Sequence, residues 1–141
     1  MRRVSLLSAL LIVTAIGGGF LLTVHAQQKT ATDGPRTAAK TVNQCTENTC
    51  KPSGCASCVN LQVNLPLTAQ VIKIHCWTNA GVNDELPHGQ LREIPCGTDW
   101  AWSIFDTPVT STTGSNTTVT TTYHNRSHNR DRDVKLTVDY E

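Results

Sequence analysis

The chain has 141 residues, 12 Lys+Arg against 11 Asp+Glu, 38% hydrophobic and 5% aromatic side chains, which suffices for one modest domain and excludes two large ones. A formal charge of +1 provides no basic surface for neutralising a run of phosphates, so nucleic acid is not an expected partner. Six cysteines in so short a chain point to an oxidising compartment.

Residues 1–26 read as an export signal: Arg2 and Arg3 form a basic start, an uncharged run follows from Val4 to Val24, and Val24-His25-Ala26 fits a small-residue cleavage site. The run is also long enough to cross a bilayer as a helix, so a retained N-terminal anchor is the alternative, and the only expected membrane contact. Gly17, Gly18 and Gly19 weaken such a helix. Either way the basic start directs the remainder outward, to a secreted, extracellular or periplasmic location. Removing Arg2 and Arg3 from the 12 basic residues leaves 10 against 11 acidic ones, so neither sign dominates the exported part.

Residues 27–44, QQKTATDGPRTAAKTVNQ, are polar and aperiodic and are expected to be a flexible linker. A disulfide-stabilised β-domain is expected over 45–141. It opens on a cysteine-rich loop, Cys45-x4-Cys50-x4-Cys55-x2-Cys58, with a turn at Pro52-Ser53-Gly54, and Cys76 and Cys96 follow. A zinc site or redox dithiol at these spacings is weighed against structural bridges, which an even count in an exported chain favours. Of the possible pairings, Cys76 with Cys96 and the other four among themselves is the expected one.

From Val59 the periodicity is two. Val59, Leu61, Val63 and Leu65 alternate with polar residues as far as Pro66, and a second strand spans about Gln70 to Trp77. A turn-rich loop covers Asn79 to Gln90. A short strand is expected at Leu91 to Ile94 and a longer one at Asp99 to Phe105, with Trp100, Trp102 and Ile104 on its buried face. Nine Thr between Thr107 and Thr122 favour extended backbone on a solvated face. Alternation at Val119 to Tyr123 and again at Val134 to Tyr140 predicts a hairpin around the charged loop 125–132. The fold expected is all-β, a small antiparallel β-sandwich or barrel of five to six strands.

Few residues suggest chemistry. Arg126, His128, Arg130 and Arg132 form a candidate binding loop, in which guanidiniums could grip a carboxylate, phosphate or sulfate. Trp77, on the polar face of its strand beside His75, is the candidate exposed aromatic. His124, His128, Asp131 and Asp133 are weak metal candidates on a strand end and loop, so no metal and no cofactor is expected. Asn116-Thr-Thr and Asn125-Arg-Ser are glycosylation sequons. No hydrolase elbow, zinc-protease helix or phosphate loop occurs, so the expectation is a non-catalytic domain. It acts as a structural component of an envelope, matrix or filament, or as a binding module for a protein or glycan at the cell surface or for a second copy of itself. The alternatives are a small exported metal-dependent protein or enzyme using His75, His124 or His128, and an inhibitor presenting the charged loop to a secreted enzyme.

Overall fold

A computed structural model describes residues 26–41 and 56–141. The leader up to residue 25, and Cys45, Cys50 and Cys55, lie outside the described residues. Within them the chain is all-β: β1 (Lys29–Ala38), β2 (Cys58–Pro66), β3 (Val71–Thr78), β4 (Arg92–Ile94), β5 (Asp99–Trp100), β6 (Ser103–Phe105), β7 (Val109–Thr113), β8 (Asn116–Asn125) and β9 (Arg132–Tyr140). They form two antiparallel sheets, a sandwich. One sheet runs β1-β9-β3-β4, and the other runs β2-β8-β6-β5 with β7 continuing beside β8 after β6.

The alternation read from the sequence sets what lies between the sheets. Leu61, Val63 and Leu65 of β2 and Val119 and Tyr123 of β8 face Val134, Leu136 and Val138 of β9, with Phe105, Cys76 and Ile94 completing a buried core. The Tyr123 ring packs on Phe105 at 4.8 Å between centroids, and its hydroxyl donates to Ser103 Oγ at 2.5 Å. Burial raises the Tyr123 pKa above its ordinary value, against the lowering effect of Ser103 and Thr78.

Three expectations need correction. The strand count rises from five or six to nine among the described residues, partly because 99–105 is not one strand. It breaks into β5 and β6 around a two-residue turn at Ala101-Trp102, both at positive φ. The second correction concerns residues 27–44, read as a flexible linker. They contain β1, which pairs with β9 from Lys29↔Tyr140 to Ala38↔Arg132. An edge strand is held mainly by its backbone, and it needs no apolar periodicity; only Ala31 and Ala38 turn toward the core. Gly34, at φ +104°, is required here, because a Cβ would stand 2.8 Å from Val134 O.

The third correction is topological. β8 and β9 are not a hairpin: β8 pairs with β2, β6 and β7, whereas β9 pairs with β1 and β3. Each strand has one apolar face, and those faces oppose one another across the core instead of lying side by side. Residues 126–131 therefore cross from sheet to sheet, over the ~10 Å that separates packed sheets. Asn125, only 3% exposed, secures that crossing: its Nδ2 lies 3.1, 3.0 and 2.9 Å from the carbonyls of Ala38, Ala39 and Arg130, and its Oδ1 accepts from Ser127 N at 3.0 Å. Further bonds to the crossing run from Thr41 N to Ser127 O and from Lys40 N to Asp131 Oδ1, at 2.7 and 2.8 Å.

Cys76 and Cys96 are bridged across a separation of 20 residues, the expected pair. Cys58 is also disulfide-bonded. No cysteine among the described residues is free, which fits an oxidising compartment.

Candidate ligand cleft

The ends of β3, β6, β8 and β9 bring three connections to one end of the sandwich: the turn-rich segment after β3, the Ala101-Trp102 turn and the crossing 126–131. Between them lies a cleft of about 660 Å³ whose lining includes Val82, Asp84, Glu85, Trp102 and Arg126 together with Ser127, His128, Arg130 and Arg132. The four residues of the predicted binding loop, Arg126, His128, Arg130 and Arg132, are thus brought together.

Its cations are already matched to carboxylates. Glu85, from the turn-rich segment, takes two guanidiniums: Arg130 Nη1 at 2.7 Å from Oε2, and Arg132 Nη1 on Oε1. Arg132 is 4% exposed and its Nε has no acceptor among the described residues. Arg126 pairs with Asp99 at 3.3 Å, on the rim. Asp84 belongs to Arg92, whose Nη1 reaches both carboxylate oxygens at 3.2 and 3.0 Å.

The exposed aromatic is Trp102. Trp102 is 75% exposed, at φ +62° after Ala101 at φ +47°. A two-residue hairpin loop with both residues at positive φ ordinarily carries Asn-Gly, because each residue with a Cβ costs roughly 1–2 kcal/mol there. The bond from Arg126 N to Trp102 O, 2.8 Å, ties this turn to the crossing. Trp77, by contrast, is half-buried on the outer face of its sheet. Its Nε1 donates to Thr137 Oγ1 at 2.8 Å, Lys135 Nζ lies 4.7 Å from the ring centroid, and His75 stacks beside it. Trp100 packs against the core as expected. The assignments of Trp77 and Trp102 are therefore reversed, because the turn at 101–102 breaks the alternation that placed Trp102 inside.

The histidines and acids proposed for chemistry are dispersed. His75 lies on the outer face between Glu93 (2.6 Å) and Asp139 (3.1 Å). Asp139 sits below its ordinary pKa, held there by the Thr30 hydroxyl and by His75. Asp133, beneath β1, accepts from Gly89 N at 2.9 Å and pairs with His88 at 3.0 Å. Burial pushes its carboxyl up, but the Gly89 N–H, His88 and Thr37 outweigh that and hold it below the ordinary value. His124 is buried with Nε2 2.9 Å from Asp106, and Asp131 is taken by Lys40 N. Of the four weak metal candidates only His128 faces the cleft, and no three His, Cys, Asp or Glu among the described residues converge as a metal would need. Cys58 Sγ lies 3.7 Å from His124 Nδ1, which gives the outline of a nucleophile, base and acid; the sulfur is committed to a disulfide and is no thiol.

The two sequons differ. Asn116 is exposed at the β7–β8 turn, whereas the Asn125 amide is consumed by the crossing. No family model, curated protein or solved structure matches this chain.

Sequence reasoning missed Trp102, Val82, Asp84 and Glu85. No positive signal marked them: Ala-Trp carries none of the residues that announce a turn, and Asp84 and Glu85 lay in a segment read only as loop.

Proposed function

We propose that this is an exported, non-catalytic binding module, secreted or held at the cell surface, whose contact site is the Trp102 cleft. The observation that carries the reading is the aromatic itself. A large apolar side chain stands three-quarters exposed, on a backbone that costs stability to hold, at the mouth of a polar cleft. Strain of this kind concentrates where function maintains it, and exposed Trp with Arg makes up the anchors of recognition sites. Disulfide bonding and the export signal support a location outside the cytosol. The test is display of the full exported chain against arrays of glycans and of surface proteins. Specific capture lost in Trp102→Ala supports the module, and capture indifferent to Trp102 refutes the cleft.

A second reading, as a component that assembles with its own copies, is favoured by β7. All its residues are exposed, none is charged, and among the described residues it pairs on one side only, with β8. The opposite edge of that sheet is blocked: Asp33 Oδ2 accepts from Gln62 N at 2.8 Å and Arg36 Nη1 donates to Asn60 O at 3.3 Å. Unguarded edges add strands readily. Ser111→Lys should dissolve any self-association seen by sedimentation; assemblies indifferent to it would exclude the β7 edge.

A further inference from the structure

We infer that the cleft takes a saccharide bearing a carboxylate, an inference that rests on the cleft being the contact site. Charge is the first argument. The cleft's charged side chains and their ion-pair partners comprise Arg92, Arg126, Arg130 and Arg132 against Asp84, Glu85 and Asp99. Arg92 is engaged by Asp84, reaching both carboxylate oxygens and, through Nη2, the Asp84 carbonyl. Glu85 is divided between Arg130 and Arg132. Four guanidiniums thus stand against three carboxylates; Asp131 keeps its charge but lies outside the lining, bonded to Lys40 N. A surplus of one guanidinium in a set whose arginines are all ion-paired suits one carboxylate; a phosphate or sulfate chain would ask for more.

Position is the second argument. Arg126, the most loosely paired cation with one contact of 3.3 Å to a rim carboxylate, is bonded through its backbone N–H to Trp102 O. An apolar platform and a guanidinium are thereby fixed on adjoining strand ends. A ligand that uses both has a flat apolar face and an anion a few ångströms apart, as the C–H face and the carboxylate of a uronic or sialic acid are. The remaining lining favours a sugar over a peptide. Apart from Gly81, Val82 and Trp102 it is made of amide, hydroxyl, imidazole and charged groups, which match ring hydroxyls, and among the described residues it offers no unpaired strand edge along which a peptide backbone could add.

The test titrates the full exported chain, disulfides intact, with galacturonate and glucuronate oligosaccharides and with sialyllactose. Alongside run their methyl-esterified or neutral counterparts and a poly-glutamate peptide. The expected result is binding of at least one acidic sugar, weakened about tenfold or more by masking the carboxylate and likewise by Trp102→Ala or Arg126→Gln. Because Trp102 is exposed, its variant folds and keeps the control valid if Arg126→Gln does not. Equal binding of the neutral sugar, still dependent on Trp102, overturns the acidic class and leaves the cleft standing. Trp102-dependent binding of the peptide alone does the same. If none of the probes binds, the acidic class is overturned, with the array result deciding the cleft; if sugars bind equally well to Trp102→Ala, the cleft falls with it.

Discussion

Asn125 and Trp102 illustrate opposite uses of one residue. From a buried position Asn125 shares its two amide hydrogens among three carbonyls and accepts from one backbone N–H, so its loss leaves those groups short of partners away from water. Asn125→Ala is expected to cost about 2–4 kcal/mol in a urea melt, a magnitude that follows from stranding several buried polar groups. A cost within the noise of a surface substitution would show that the crossing is held elsewhere. At Trp102 the backbone, not the side chain, carries the cost. Trp102→Gly should raise stability by about 0.5–1 kcal/mol, the left-handed penalty less the entropy of glycine, while abolishing ligand capture. Loss of stability in that variant would contradict the strained turn. Two carboxyls tie stability to acid pH. Asp133 and Asp139 both titrate below the ordinary 3.8 in the folded protein, so folding favours their ionised forms. That contribution is fully present above 3.8 and is lost as the pH falls through the lowered values. Asp133→Asn should therefore flatten the fall of stability measured as the pH drops below 3.8; an unchanged slope would remove Asp133 from the acid response.

Strands declared by alternation were legible; strands held by pairing alone were not. β2, β8 and β9 turn every second side chain inward and lie where the alternation places them; β3 does so from Ile74 onward, but a register shift between Val71 and Lys73 leaves Ile72 half exposed and turns Val71 to the core. β1 has only two small side chains on the core, and its backbone bonds to β9 leave no trace in the residue order. The partner of a strand is likewise not encoded in its period: the same one-sided pattern serves a hairpin and two facing sheets, and the length and ties of 126–131 decide between them. The cleft was legible in its arginines, which are charged and close in sequence. It was illegible in Trp102, because an Ala-Trp turn looks like continued alternation. Asp33 makes the contribution of β1 testable. It accepts from Gln62 N and holds Arg36 at 3.0 Å over the edge of β2. Asp33→Ala should cost about 1 kcal/mol, the value of a charge-assisted bond in an exposed setting, and should increase concentration-dependent association through the opened edge. A variant that stays as dispersed as the parent would show that the edge is protected by other means.

The molecule as a whole joins a two-sheet core to an end where loops from both sheets meet around the cleft. Two residues before the end of β3 that leads into the cleft, Cys76 is bridged to Cys96 in the segment after β4. Closing a loop of 20 residues is worth roughly 3 kcal/mol, so the Cys76→Ser, Cys96→Ser double variant should lower stability by about that amount. The bridged loop supplies Val82, Asp84 and Glu85 of the cleft wall, but neither cysteine lines the cleft, so ligand capture by the folded fraction should persist; capture lost along with the bridge would mean that the cleft depends on it. The most direct measurement of the contact site is a nitrogen–proton spectrum of the indole groups during titration with the acidic oligosaccharides. The chain has three Trp, and they occupy distinct settings: Trp77 bonded to Thr137, Trp100 against the core and Trp102 in the cleft. The expected result is a shift of the Trp102 signal on saturation, with those of Trp77 and Trp100 unmoved. Binding that shifts Trp77 and leaves Trp102 in place would contradict the cleft and return the outer face of the β1-β9-β3-β4 sheet as the contact surface.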